Sequence, residues 1–279
     1  MKTGFNPQLE KDHSEDADYT DQKFGAALPT CLALIPEDKR LDYLPQGESQ
    51  NLGEDKINCA SRSPIEYIET KLNWLYKNGK LTLNEVRFFI DNGYVQEEKI
   101  KLSDAYPAIL SGTTREGNSL KAPCQAIHEW GIVPKKLLPQ LDTWEADNDP
   151  ARITSEIKML GLKSLQFFNF NYHKVYNIDY SIDFYVLAGF AWPNPVNGEY
   201  PRVDYPFNHA FLGVKNPKHI IRDSYPDTVD GDYIKKLAAD YKLLDYQYRI
   251  YISRAEKKSL SFLRRLGEAI KNWWNEIIK

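Results

Sequence analysis

Pro206-Phe-Asn-His209-Ala-Phe-Leu-Gly-Val214 and, shortly after it, His219-Ile-Ile-Arg-Asp223-Ser-Tyr-Pro226 decide how this chain is read. Both are short apolar or β-branched runs, and Lys215-Asn-Pro-Lys218 between them has the composition of a turn. Antiparallel strands joined by that turn bring His209 and Asp223 to the same end of one sheet. A histidine that opens an apolar strand and precedes a small alanine is poorly explained by packing alone. Asp223 also fits an ordinary turn residue ahead of Ser-Tyr-Pro.

Working outward, residues 165–170, 184–190 and 246–252 are further short runs rich in aromatic and β-branched side chains, split by Pro, Asn and Gly. Before residue 162 the period changes. Ile65, Ile68, Leu72 and Leu75 recur at helical spacing, and Gly79 follows as a stop. Further helices are predicted over 83–90, near 102–110, over 121–130 ended by Gly131, and over 150–160 with Gly161 just past the end. A helical first half and a strand-rich second half argue for the α+β class.

The composition is that of a globular chain with a sizeable core: 279 residues, 42% apolar and 27% charged. Lys and Arg number 36 against 39 Asp and Glu, so the net charge of −3 argues against general nucleic-acid binding. No apolar run reaches the length of a membrane span. Residues 1–22 lack the apolar stretch of a secretory signal, which predicts synthesis in the cytoplasm without a leader. Three cysteines are too few for a disulfide framework.

A thiol hydrolase needs a cysteine held as thiolate, a histidine to stabilise it and protonate the leaving group, a polar group behind the histidine, and donors for an oxyanion. Cys59 sits in Lys56-Ile-Asn-Cys59-Ala-Ser-Arg62, just before the first amphipathic helix, with Asn58 as a plausible cap. The positive end of the helix dipole and unpaired N–H groups there favour a thiolate. Taken alone, Cys59 also reads as a small buried residue. Pro64 implies either a helix that starts near Ser61 or one that bends.

Together these segments resemble the papain-like cysteine peptidases, in the divergent form encoded by bacteriophages and bacteria. Four stretches carry the resemblance: Leu44-Pro-Gln-Gly-Glu-Ser-Gln50 leading to Cys59, Gly117-Asn-Ser-Leu with Cys124-Gln-Ala-Ile-His-Glu-Trp-Gly131, Asn208-His-Ala210, and Asp223-Ser-Tyr-Pro226. It covers about residues 41–253. It implies a two-lobed α+β fold, with a helical lobe over 55–161 and an antiparallel sheet or barrel lobe over 162–253. By position, Cys59 is the nucleophile, His209 the acid/base, Asp223 the orienting group where papain has Asn, and Gln50 (or Asn51) the oxyanion donor. Gly117, Asn118 and Ser119 line the substrate cleft by backbone pairing. The resemblance implies hydrolysis of peptide or isopeptide bonds in a peptide or protein substrate, without cofactor or metal. Three departures stand out: Gln50 lies nine positions before Cys59 where the family has six, the Cys-Gly-Ser-Cys-Trp motif is missing, and Tyr225 replaces a Trp.

Two flanks complete the organisation. Residues 1–40 read as a flexible acidic arm and extended lead-in, with a docking tail or propeptide as the alternative, although nothing there has the look of a folded inhibitory domain. Residues 254–279 form a basic amphipathic helix whose apolar face carries Phe262, Leu266, Trp273 and Trp274, suited to a membrane surface or a protein partner through residues 259–278. The alternative to an enzyme is a structural or interaction protein on the same fold, associated with a phage virion or another complex.

Overall fold

The computed structural model describes residues 4–9, 32–51, 53–181, 184–190, 197, 199–204, 206–215, 219–227, 231–255 and 267. The helix predicted over 259–278 therefore lies, but for Gly267, outside the described residues, as does Cys31.

Helix α1 (Cys59–Lys77) is the axis of the first half and buries its whole length up to Leu75. It begins at Cys59 and runs through Pro64 without stopping, so the later start near Ser61 is not needed. The Ser63 hydroxyl donates to the Cys59 carbonyl at 2.9 Å and so helps satisfy the first turn. Helix α2 (Leu83–Asp91) opens on a capping box: Thr82 accepts from the Glu85 N–H, and the Glu85 carboxylate accepts from the Thr82 N–H at 2.6 Å. A two-residue hairpin, β1 (Val95–Gln96) with β2 (Lys99–Ile100), leads into α3 (Ala105–Leu110) and α4 (Lys121–Trp130). A one-turn α5 (Trp144–Asp147) and α6 (Ser155–Ser164) complete the half.

Helix α6 corrects the expectation for 150–160. Pro150–Arg152 is a short 3-10 turn, and the helix starts later, where the Thr154 side chain accepts from the Ile157 N–H. Gly161 lies inside the helix. Its role is close packing: a Cβ there would sit 2.4 Å from both the Trp130 carbonyl oxygen and the Tyr106 hydroxyl.

Among the described residues, the second half is one seven-stranded sheet built from β3 (Phe168–Val175), β4 (Tyr185–Gly189), β5 (Glu199–Tyr200), β6 (His209–Lys215), β7 (Ile220–Arg222), β8 (Ile234–Leu237) and β9 (Gln247–Arg254). Its order is β3-β9-β4-β6-β7-β8-β5, antiparallel except for the β5–β8 pair. Sequence patterning locates five of these strands and misses β5 and β8, which are short and carry charged residues. The main core lies between α1 and the sheet, where Ile65, Ile68 and Leu72 meet Phe168, Phe184, Leu212 and Ile250. The lead-in joins this core: the Leu32 N–H donates to the Ile252 carbonyl at 2.9 Å, and buried Arg40 donates to the Val214 carbonyl at 2.8 Å.

Between α1 and β2, Glu66, Glu69 and Asp104 line a cavity of about 260 Å³ together with Arg62, Lys99, Lys101 and Lys135. Burial, reinforced by the charge of Glu66, pushes the Glu69 carboxyl from 4.5 up to about 8, although the Leu102 N–H opposes the shift. Between those two values the folded chain holds a proton that the unfolded chain has released, so stability falls as pH rises through this window. Glu69→Gln keeps an acceptor for Leu102 and removes the charge. It is expected to raise Tm at pH 8 by a few degrees, as ~1 kcal/mol would in a domain of this size, and to leave it unchanged at pH 4. An equal gain at both pH values in thermal melts would contradict the assignment.

Candidate active site

Cys59 is the first residue of α1 and has no exposed surface. Two residues earlier, Ile57 has φ +56°, a left-handed conformation that a β-branched side chain rarely adopts. Its N–H is held by Asp55 Oδ1 at 2.9 Å. This strained link turns the chain into α1 and fixes where the thiol points. A second N–H, that of Ala210 on β6, donates to the Cys59 sulfur at 3.3 Å. The sulfur thus sits at the helix start with a backbone donor aimed at it.

His209 opens β6 opposite Gly189 on β4. On the other side, Leu212 of β6 pairs with Arg222 of β7, which sets Asp223, one residue further, on the same face as His209 and diagonally across from it. The two side chains meet: His209 Nε2 and Asp223 Oδ1 are 2.6 Å apart and fully buried. With Nε2 so engaged, the remaining ring nitrogen is Nδ1, and the charge of the Cys59 sulfur acts on the ring. Burial alone would depress the imidazolium, but the charges of Asp223 and then of Cys59 outweigh it, and His209 is raised well above 6.5. Burial likewise opposes ionisation of Asp223, and His209 with Lys235 reverses that, holding the carboxyl well below its ordinary 3.8. The structure thus brings Cys59, His209 and Asp223 together where α1 begins against the sheet.

Gln50 is buried beside them, but its side chain is occupied. Its nitrogen donates to Asp55 Oδ1 at 3.0 Å and to the Tyr225 hydroxyl, and its oxygen accepts from Ser224 Oγ at 2.8 Å. The longer interval to Cys59 is taken up by a closed loop in which the Lys56 N–H donates to the Gln50 carbonyl at 3.0 Å. For Gln50 to donate to an oxyanion, one of its two present acceptors must let go. Asn51 is exposed on a turn, its N–H on Ser49 Oγ. Tyr225 lies over the imidazole, with ring centroids 5.1 Å apart, and its hydroxyl donates to Asp55 Oδ2 at 2.6 Å.

Gly117 and Asn118 lie against another part of the chain. Residues 4–6, which the sequence assigns to a flexible arm, are packed here instead. The Asn118 N–H donates to the Gly4 carbonyl and the Asn6 N–H to the Asn118 carbonyl, each at 2.9 Å, while the Phe5 N–H reaches the Asn208 carbonyl at 3.1 Å. The Phe5–Asn118 pairing is parallel. Phe5 is buried in the main core. Gly4 has φ +100°, and a Cβ on it would lie 2.5 Å from the Ile57 carbonyl oxygen and 3.0 Å from the Cys59 sulfur. This strap is why the thiol is covered. Ser119 has another duty: its hydroxyl accepts from the Ala122 N–H at the start of α4.

Two participants are missed by sequence reasoning. The strap is one, since Gly4-Phe-Asn6 carries a single apolar anchor among polar neighbours. The other is Lys235, whose Nζ lies 2.9 Å from Asp223 Oδ2. The signal for it is the alternation in Tyr233-Ile-Lys-Lys-Leu237, which places Lys235 on the same face as buried Leu237.

No protein-family model matches the chain, and no curated protein matches it. Among solved structures it is similar to xylellain, a cysteine protease from Xylella fastidiosa, at 16% identity over 91% of this chain and 97% of that one, with a TM-score of 0.54. It is also similar to digestive procathepsin L 3 of the Tenebrio molitor larval midgut, at 16% identity over 91% and 76% of the two chains, with a TM-score of 0.46. A third likeness is to proCathepsin B S9 from Trypanosoma congolense, at 9% identity over 90% and 86%, with a TM-score of 0.47. The element order, the mostly antiparallel sheet and the near-complete overlap with xylellain make this α+β chain one with the papain-like fold.

Proposed function

We propose that the chain is a thiol hydrolase of peptide bonds that rests closed under its own N-terminal strap. The observation that carries this reading is the buried line of Cys59 sulfur, His209 imidazole and Asp223 carboxylate at the start of α1. A thiolate paired with an imidazolium is a nucleophile and an acid held ready in one place. In the open form, the Cys59 sulfur attacks the substrate carbonyl carbon, and the oxyanion forms beside the Cys59 N–H, with Gln50 as second donor once its amide is released. His209 passes the Nδ1 proton to the leaving amine as the C–N bond breaks, which leaves a thioester on Cys59. The now neutral imidazole takes a proton from water, hydroxide adds to the thioester, and release of the acid restores the pair.

An extended polypeptide is favoured as substrate because the cleft offers backbone partners: the N–H and C=O of Asn118 and the C=O of Asn208. The strap uses all three, so a substrate has to displace it. The same geometry accepts an isopeptide carbonyl, and nothing in the described residues selects between the two. Digestion of a mixed peptide library by the chain, with Cys59→Ala as the blank, tests the reading. Cleavage in the first and none in the second is expected. No cleavage by a chain whose strap has been released would favour a binding protein on the same fold.

A further inference from the structure

We propose that Lys235 is a positioning residue of this site, whose ammonium neutralises the Asp223 carboxylate so that His209 is oriented by a pair without net charge. This rests on the hydrolase reading above. The motivation is electrostatic. The resemblance gives papain a neutral Asn where this chain has Asp223, so a full negative charge stands behind the imidazole. A buried carboxylate there raises the proton affinity of the imidazole, and an ammonium on its far side moderates that effect. With Lys235 present, two ion pairs, Cys59 with His209 and Asp223 with Lys235, sum to zero in a region closed to water.

The sheet builds this arrangement from register alone. Ile221 of β7 pairs with Lys235 of β8, and Arg222 with Ile234, so Asp223 and Lys235 share a face and lie diagonally. His209, Asp223 and Lys235 therefore form a line across three neighbouring strands. Oδ1 of Asp223 takes His209 Nε2 and the Tyr225 N–H at 3.1 Å, while Oδ2 takes Lys235 Nζ at 2.9 Å. The lysine is almost wholly buried. Its ammonium lies 4.8 Å from the centroid of the Tyr200 ring on β5, which steadies the cation from its far side.

Of the remaining groups around the line, one further carboxyl, Asp55, stands behind Tyr225 and accepts from its hydroxyl at 2.6 Å. Tyr225 and Phe211 flank the imidazole, and the Tyr241 hydroxyl, which feels the Asp223 charge, is engaged with the Phe190 backbone. The Tyr233 carbonyl accepts the Asp223 N–H at 2.9 Å. Among the described residues, Lys235 is the one lysine or arginine in ion-pair contact with Asp223.

The test is an NMR titration of the His209 imidazole in the full chain, compared among the native sequence, Lys235→Met, Lys235→Arg, Asp223→Asn and the double variant Asp223→Asn/Lys235→Met. Removing the ammonium is expected to move the His209 midpoint upward by about one unit or more, and Lys235→Arg to leave it in place. Asp223→Asn alone is expected to move the midpoint downward, because the carboxylate that favours the imidazolium is gone. A lysine that only packs would alter thermal stability and leave the midpoint alone, and that result overturns the proposal. If Lys235→Met does not fold, the double variant must, since it buries no lone charge. Failure of both overturns the proposal as well. A native His209 that titrates near its ordinary ~6.5 defeats the hydrolase reading instead, so the two failures are distinguishable.

Discussion

Replacing His209 by alanine is expected to lower peptide hydrolysis by about 10⁴- to 10⁶-fold, close to the effect of removing Cys59 itself, because residues that act as one unit fail together. The imidazole bonds Asp223 and feels the charge of the Cys59 sulfur, and it has no exposed surface. Without it, the sulfur keeps the Ala210 N–H and the helix end but loses its counter-charge, and no acid remains for the leaving amine. Folding should survive, since Asp223 retains Lys235 at 2.9 Å. Measured kcat/KM for a cleaved peptide, alongside a thermal melt, separates the two effects. A loss smaller than about tenfold in a folded variant would mean that some other group carries the proton.

Release of the strap is expected to act in the opposite direction. Three backbone hydrogen bonds hold Gly4, Phe5 and Asn6 in the cleft, each worth ~1 kcal/mol, and the buried Phe5 ring adds ~2 kcal/mol. Ordering the segment offsets much of that sum. A net closure of only ~1.4 kcal/mol still keeps nine sites in ten shut. Gly4→Ala is the sharper variant, because it leaves Phe5 in the chain. The new methyl would stand 2.5 Å from the Ile57 carbonyl oxygen, on a backbone at φ +100°. Both Gly4→Ala and deletion of residues 1–9 are expected to raise the initial rate of peptide cleavage by about tenfold or more. Unchanged rates in both would show that the strap opens freely and gates nothing.

Much of this was legible in the sequence, for physical reasons. Helix α1 shows because its apolar residues recur every three or four positions. The juxtaposition of His209 and Asp223 shows because two strands with a short turn between them admit one simple pairing. The features that escaped have weak local signals. Strand β8 is half lysine by composition in Ile-Lys-Lys-Leu, and only its pairing with β7 makes Lys235 an interior residue. Gly161 has the look of a helix stop, and only the carbonyl of Trp130 explains why it continues one. The strap depends on contacts more than a hundred residues away, to Asn118 and Asn208, which periodicity cannot reveal.

The claim on which the account turns is that Cys59 and His209 rest as a thiolate–imidazolium pair. The most direct measurement is the rate at which iodoacetamide modifies Cys59 at pH 6 and at pH 9 in the Gly4→Ala chain, with His209→Ala added as the control. The account predicts rates within a few-fold of each other at the two pH values, and a collapse at pH 6 when His209 is removed. A rate at pH 6 about 240-fold below that at pH 9 with His209 in place, as for an unassisted thiol of pKa ~8.5, would contradict it.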